Sequence, residues 1–213
     1  MFGILIQLYS STASTQAIKL RVDEKQMTPE QELANAMTMV ASWSVFLFGF
    51  IFRCSLRSGL LLIGSSVHLP ASVGYHMNMA LEVGRDRIDN DWRRLDQSFQ
   101  HVAATIFAFA VSESWGYASF CFCFNAIGVL KLWHVRYSND EKRWAHVIVG
   151  VFLYLLPLLW KRLWFCFGLA SGSMLVGGLG FVHWLNEGFL FGWGHAFFHV
   201  MLVVHAYALS LCF

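Results

Sequence analysis

Seven apolar stretches constrain the fold of this chain more than any other feature. Each is long enough for a helix to cross about 30 Å of hydrocarbon with some tilt. A backbone in lipid must satisfy its own hydrogen bonds, which favours helices. We therefore expect an all-α polytopic membrane protein, a bundle of seven transmembrane helices. The stretches lie at about 36–53, 59–80, 97–114, 116–134, 145–160, 163–184 and 188–212.

The composition agrees with this fold class and excludes a different class of partner. Hydrophobic residues make up 57% of the 213 residues and charged residues 13%, with a mean hydropathy of +0.53. The formal net charge is only +2, and no basic run is dense enough to follow a phosphate backbone. We expect a protein integral to a membrane that does not bind nucleic acid.

A capping pattern predicts where the first helix begins. Thr28 suits an N-cap, Pro29 suits the first helical position, and Gln31 completes a capping box. We expect residues 1–35 to lie outside the bilayer and residues 36–213 to form the transmembrane domain. The opening stretch MFGILIQLYSSTAS has no basic region and only a short apolar run, so no signal peptide is expected.

The distribution of positive charge predicts an orientation. With seven spans, the N-terminal segment and the connections after spans two, four and six share one face, here side A, and side B is the opposite face. Four of the 15 Lys and Arg residues fall on side B, namely Arg53, Arg57, Lys161 and Arg162. Because Lys and Arg accumulate in cytosolic loops, we expect side A in the cytosol, with the N-terminus inside and the C-terminus outside.

Polar side chains from three spans are expected to meet near side A. The second span contains SSVHLPASVGYHMNM, in which Ser72 and His76 share one helix face. The third span opens with Asp96, and the seventh, which enters from side A, carries His195 and His199 one turn apart. Ionisable side chains are costly inside a membrane and mark functional sites there. Their common depth favours a single shared site.

These residue types suit a zinc centre. Three neutral imidazoles, from His76, His195 and His199, would supply the protein ligands of a catalytic zinc and leave the fourth position to water. Zinc lowers the pKa of such a water toward neutrality. Asp96 would either accept its proton or orient a ligand ring, and Ser72 would hydrogen-bond a ligand or a developing oxyanion.

Other interpretations of the polar groups stay open. A membrane histidine often only hydrogen-bonds a neighbouring helix, and Ser72 can bond the carbonyl oxygen of His68. His68 and His101 suit a supporting or packing role as well as they suit ligation. A haem held by paired histidines is a further alternative, although it would use histidines on separate helices.

Four histidines are assigned away from the site. His134 and His146 are expected near the membrane interfaces, where water solvates them. His183 and His205 are expected between helices or at an interface.

The motifs SxxxH in the second span, an aspartate opening the third and HxxxH in the seventh resemble the CREST superfamily of seven-span membrane hydrolases. That superfamily includes alkaline ceramidases, the progestin and adipoQ receptors, and the myomaker branch with its GPI-anchor phospholipase A2 relatives. The stretches SVGYHMNM and LDQS are most similar to the myomaker and phospholipase branch. The resemblance extends over roughly residues 36–212.

The resemblance implies a three-histidine zinc site that acts on lipid amide or ester bonds. The acidic and aromatic pattern of ceramidases is not visible in ANAMTMVASWSVFLFGF, which argues against a ceramidase proper. In the most similar branch, side A is expected to face outside or the lumen, whereas the charge distribution favours the cytosol. The leaflet that supplies a substrate is therefore left open.

Two functions from different classes follow from the sequence. The leading hypothesis is a zinc-dependent intramembrane hydrolase that cleaves an acyl ester or amide bond of a membrane lipid, with Zn²⁺ as cofactor. The rival is a non-catalytic membrane scaffold, receptor or fusogen of the myomaker type that keeps a structural zinc.

Overall fold

The computed structural model describes residues 27–81, 90–134, 140–181, 186 and 189–213, with residues 140–144 described by their backbone alone. Within these ranges the chain is helical and contains no β-strand, so the all-α prediction is confirmed for them. The helices are α1 (Pro29–Arg53), α2 (Leu56–Leu81), α3 (Asp91–Ser112), α4 (Trp115–His134), α5 (Asp140–Leu155), α6 (Pro157–Trp160), α7 (Trp164–Leu179) and α8 (Gly194–Leu211).

Three of the described helices, α1, α4 and α8, are long and apolar enough to cross a membrane. The stretch Ala145–Trp160 and helix α7 are apolar but shorter. Helices α2 and α3 have sufficient length, but they are less apolar because they carry many of the polar side chains described below. Membrane association is therefore supported by three helices, and seven spans stay a prediction.

Two helices have other bounds than the apolar stretches that predicted them, because of proline and glycine residues in the backbone. The span expected at 145–160 divides at Pro157, where α5 gives way to the short helix α6. Proline lacks the N–H that would continue the ladder of the preceding turn. The span expected at 163–184 ends as a helix at Leu179, beside Gly180 and other glycines that weaken helix propensity.

The predicted capping box at the start of α1 is confirmed. The Thr28 side-chain oxygen accepts a hydrogen bond from the Gln31 backbone N–H at 3.3 Å. In return, the Thr28 backbone N–H donates to the Gln31 side-chain oxygen at 2.9 Å. Because two otherwise unpaired donors are satisfied there, the entry of α1 is fixed, and the residue after Gln31 is the buried Glu32.

Helix packing brings four helix ends together. Helix α1 packs against α2 and α8, α2 against α3, α3 against α4 and α5, and α7 against α8. The starts of α1, α3 and α8 lie beside the end of α2. An apolar core that includes Leu61, Phe107, Leu158 and Leu209 fills the other half of the bundle. The buried polar residues at the start of α1 and the end of α2 thus lie at one end of the bundle, and this apolar core lies at the other.

Candidate metal centre

Three histidines from two helices converge at the end of the bundle where α1 begins. His76 lies in the last turns of α2, and His195 and His199 lie in the first turns of α8. One ring nitrogen of each falls within 4.8 Å of the others, a spacing that could hold a metal ion. His76 and His199 are almost fully buried, at 1% and 4% exposure. The structure thus brings together the three residues predicted as ligands.

The two histidines of α8 face each other through equivalent nitrogens. Nε2 of His195 lies 3.0 Å from Nε2 of His199. Two nitrogens that bind one tetrahedral ion at about 2.0–2.1 Å lie roughly 3.3 Å apart, so this separation is close to that of a ligand pair. Without a cation, one ring must donate to the other. With a cation between them, both lone pairs have a partner.

The other nitrogen of His199 supports the same assignment. The His199 ring lies against the backbone of Asn35, but its buried Nδ1 makes no hydrogen bond of ordinary geometry. A buried nitrogen without a partner is costly. Hydrogen bonds at Nδ1 therefore do not fix this ring, whereas a metal ion at Nε2 would, and three imidazole nitrogens are a donor set that fits such an ion.

Glu32 orients the third histidine, a contact that the motifs did not predict. Its Oε2 lies 2.7 Å from Nδ1 of His76, and the carboxylate and the ring are both buried. The side-chain amide of Asn35 also donates to Oε2, at 3.4 Å. A carboxylate on Nδ1 fixes the proton there and directs the Nε2 lone pair to a metal. The available signal was Glu32 itself, a carboxylate with Asn35 one turn on, at the start of a helix whose later turns are largely apolar.

Asp96 and Ser72 form a second polar group beside the histidines. Oδ1 of Asp96 lies 2.8 Å from Nε2 of His68, and Ser72 also hydrogen-bonds the Asp96 carboxylate. Ser72 is 2% exposed. Asp96 was expected either to accept a proton or to orient a ligand ring. For the His76 ring, Glu32 performs the second role. His68 supports Asp96 rather than joining the three-histidine cluster.

Two further described histidines lie outside the cluster. His205 accepts the Tyr154 hydroxyl hydrogen at Nε2, at 2.7 Å, and donates from Nδ1 to the Ala170 carbonyl oxygen at 3.0 Å, which confirms its interhelical placement. His134 is exposed, as expected. His183 lies outside the described residues.

His146, which was expected to be solvated near an interface, is half-buried and packs between helices. Its ring stacks on Phe124 at 4.1 Å and contacts the ring of His101 at 5.4 Å, while its Nε2 donates to the Phe124 carbonyl oxygen. His101 in turn bonds Asn125 at 2.9 Å. Gly128 leaves the space for both rings, since a Cβ there would meet both at under 3 Å.

A close backbone contact positions the first turn of α8. The helix begins at Gly194, later than the apolar window at 188–212 suggested. The Gly194 N–H donates to the side-chain oxygen of Asn186 at 2.8 Å, and a Cβ on Gly194 would overlap the Gly180 carbonyl oxygen. Because His195 is the next residue, this contact determines where both histidines of α8 lie.

A cavity of about 110 Å³ lies inside the bundle next to the polar groups. Its wall is mainly apolar and comes from α1, α2, α3, α4, α5, α7 and α8, with Met39, Phe107 and Leu202 among its residues. His68 also lines it, and so connects the cavity to Asp96. This volume is below the roughly 300–1,000 Å³ of ligand pockets, so the cavity accommodates only a small apolar part of a ligand.

Comparison with known proteins adds no relative. No family model matches the chain, and neither the curated proteins nor the solved structures contain a match. The functional argument therefore depends on the geometry of the site.

Proposed function

We propose that this protein is a seven-span, zinc-dependent membrane hydrolase of the CREST type that cleaves an acyl ester or amide bond of a membrane lipid. The observation that carries the proposal is the convergence of His76, His195 and His199 with two carboxylates close by. Glu32 contacts a ligand ring, and Asp96 lies nearby with its own partners. A packing role for the histidines would require neither carboxylate.

The three histidines would hold the ion through ring nitrogens. Glu32 keeps the His76 proton on Nδ1 and leaves Nε2 as the ligand atom. All-nitrogen donor sets of three imidazoles suit zinc better than they suit calcium or magnesium. When bound, zinc would supply Lewis acidity that polarises a carbonyl oxygen and acidifies water.

Asp96 is assigned the proton transfer. Its carboxylate accepts a proton from the attacking water and returns it to the leaving group, as a general base and then a general acid. His68 donates from Nε2 to Oδ1 and keeps the carboxylate oriented. Ser72 also bonds that carboxylate and lies deep enough to remain shielded from bulk water.

The substrate class follows from the surroundings of the site. The adjoining cavity is mainly apolar, and three helices of the bundle are long and apolar enough to cross a membrane. A few methylene groups of an acyl chain in this cavity would bury apolar surface, with the carbonyl carbon of the chain toward the polar cluster. A membrane lipid is therefore the proposed substrate.

The first experiment measures metal and turnover together. Wild-type protein purified in detergent is expected to carry about one zinc per chain by mass spectrometry and to hydrolyse labelled lipids. His195→Ala/His199→Ala should lose both properties. The matched control is His134→Ala, an exposed histidine outside the cluster, which should change neither. Full zinc in the double variant would contradict the ligand assignment.

A second variant separates metal binding from chemistry. Asp96→Asn keeps the shape of the side chain but cannot accept a proton, so we expect zinc to stay bound while turnover falls about 10²- to 10⁴-fold. Turnover is followed by release of labelled acyl chain. Undiminished hydrolysis by this variant would remove Asp96 from the mechanism.

The burial of the ligands favours one alternative, a non-catalytic scaffold or fusogen with a structural zinc. Structural zinc sites are closed, whereas catalytic sites keep one position open, and His76 and His199 are almost fully buried. That alternative predicts zinc in the wild type, no hydrolysis of any lipid class, and lower thermal stability after zinc is removed by a chelator.

A further inference from the structure

The end of the bundle opposite the histidines carries a cluster of positive charge. Glu113, which follows α3, accepts hydrogen bonds from Arg57 Nε at 2.6 Å and from Lys161 Nζ at 2.7 Å. Arg53 and Arg162 are exposed nearby in the chain. Glu113 is the only carboxylate side chain that the structure describes at this end, so positive charge remains in excess.

The two cations keep donors that Glu113 does not use. A guanidinium has five N–H groups and an ammonium has three. The Glu113 carboxylate contacts Nε and Nη2 of Arg57 and accepts one hydrogen bond from Lys161. The Arg57 and Lys161 side chains are 38% and 22% exposed, so their remaining donors can reach a ligand.

Arg57 and Glu113 border a pocket of about 410 Å³ with two kinds of wall, and Lys161 lies next to it through its bond to Glu113. Ser55, Arg57 and Glu113 form the polar wall, and Leu60 and Phe109 belong to the apolar wall. The ring of Phe213 also lines the pocket, and the Arg57 guanidinium lies 5.2 Å above it. Such a combination suits a ligand with a charged head and an apolar body.

The position of the pocket indicates the membrane interface. Arg57 and His76 lie on the same helix, α2, and are about 28 Å apart at ~1.5 Å of rise per residue, close to the thickness of the hydrocarbon core. The exposed indoles Trp115, Trp160 and Trp164 surround this end, and tryptophan accumulates at headgroup level. The pocket and the metal centre therefore face opposite leaflets.

We infer that this pocket binds the phosphate group of an anionic ligand through Arg57, with Lys161 as a second cation beside the Glu113 wall. Arginine and lysine are the usual partners of phosphate oxygens, and basic pockets between membrane helices hold anionic headgroups. A phospholipid headgroup and free phosphate share this chemistry. The site is independent of the proposed hydrolase, because it needs neither the histidines nor the cavity beside them.

Native mass spectrometry of the full chain in detergent tests the inference with phosphatidylglycerol and phosphatidylcholine as probes. Wild-type protein should retain phosphatidylglycerol preferentially. Arg57→Ala/Lys161→Ala should lower that retention about tenfold or more, since each cation near a headgroup contributes about a factor of five. Its zinc content should not change.

The matched control is Lys131→Ala, which removes a charge in the last turn of α4, at the opposite end of the bundle. This variant should retain the lipid. Equal loss in that control would overturn the inference.

Glu113→Gln keeps the inference falsifiable if the double variant does not fold. Removing the competing carboxylate frees donors on both cations, so lipid retention should rise, and unchanged or lower retention would overturn the inference.

Inorganic phosphate distinguishes a lipid headgroup from the free anion as the ligand. If it raises the melting temperature of the wild type but not of Arg57→Ala/Lys161→Ala, the free anion is a ligand. If only phosphatidylglycerol does so, the ligand is a lipid headgroup, and no effect of either probe would refute the site.

Discussion

At the scale of the residue, Glu32 decides how His76 can act. A histidine with a free choice of tautomer presents either nitrogen, but the carboxylate 2.7 Å from Nδ1 removes that choice. Glu32 is 1% exposed, and a buried carboxylate is retained only where its partners compensate for the loss of water. Those partners are His76 and Asn35 in the part of the chain that the structure describes, along with further contacts of Glu32.

We predict that Glu32→Ala weakens zinc binding by about 10- to 100-fold, the range typical of lost support for a ligand histidine. Zinc affinity is measured by competition with a chelator. Glu30→Ala is the matched control, because Glu30 lies exposed in the same first turn of α1, and it should keep wild-type affinity. Unchanged affinity in Glu32→Ala would show that the contact does not support a metal ligand.

At the scale of the element, the placement of α8 depends on the close approach of Gly194 to Gly180. We predict that Gly194→Ala loses zinc although all three histidines remain, because the new methyl group must displace the first turn of the helix. Overpacking of this kind costs about 1–3 kcal/mol. Zinc content and melting temperature are measured on the same sample.

Gly172→Ala is the control for that substitution. Gly172 lies inside α7, and nothing lies within 4 Å of a Cβ placed there. Alanine in a helix interior is favoured over glycine by about 0.5–1 kcal/mol, so this variant should be at least as stable as the wild type and keep its zinc. If Gly194→Ala behaves in the same way, the backbone contact does not position the site.

On side B, Glu113 joins three parts of the chain, because it accepts hydrogen bonds from Arg57 and Lys161. Hydrogen bonds from Lys161 and Arg57 lower the pKa of the Glu113 carboxyl below its ordinary value of 4.5. A carboxyl with a lowered pKa in the folded state stabilises that state above the unfolded pKa and loses this contribution as the pH falls through the folded pKa. Because Glu113 is nearly half exposed, the effect is expected to be small.

We therefore predict that the melting temperature falls as the pH is lowered from about 5, and that Glu113→Gln makes this fall shallower. At neutral pH the variant should melt slightly below the wild type. Thermal unfolding in a zwitterionic detergent without anionic lipid gives both numbers. Identical pH profiles for the two proteins would show that the ion pairs contribute nothing to folding.

At the scale of the whole molecule, the number of spans determines where the two ends of the chain lie. Three described helices meet the length and apolarity that a membrane requires, and the packing order connects them with α2, α3, α5 and α7 in one bundle. An odd number of spans puts the two termini on opposite sides of the membrane.

We predict that epitope tags at the two termini differ in accessibility in intact cells, the N-terminal tag protected and the C-terminal tag accessible. Antibody labelling before and after permeabilisation measures this. Tags on the same side would contradict seven spans. A reversed pattern would instead put the metal centre, which lies on the side where α1 begins, outside the cell or in a lumen.

The sequence by itself determined the helical class, the start of α1 and the residues of the three-histidine cluster. These depend on local chemistry: apolar run length, the capping box at Thr28 and Gln31, and the one-turn spacing that puts His195 and His199 on one face. The depth of His76 in the membrane stays a prediction, because it depends on seven spans. The predicted roles of Ser72 and Asp96 remain predictions, although both lie beside the cluster.

Only the tertiary structure decided which groups support the site. Glu32 and His76 are far apart in sequence, as are His146 and Phe124, and no local pattern records which faces of two packed helices meet. The break at Pro157 and the contact of Gly194 with Gly180 likewise depend on backbone geometry that hydropathy averages away. Side-chain type and spacing determine what a helix can offer, but packing determines what it touches, because contacts form between surfaces that the chain brings together only on folding.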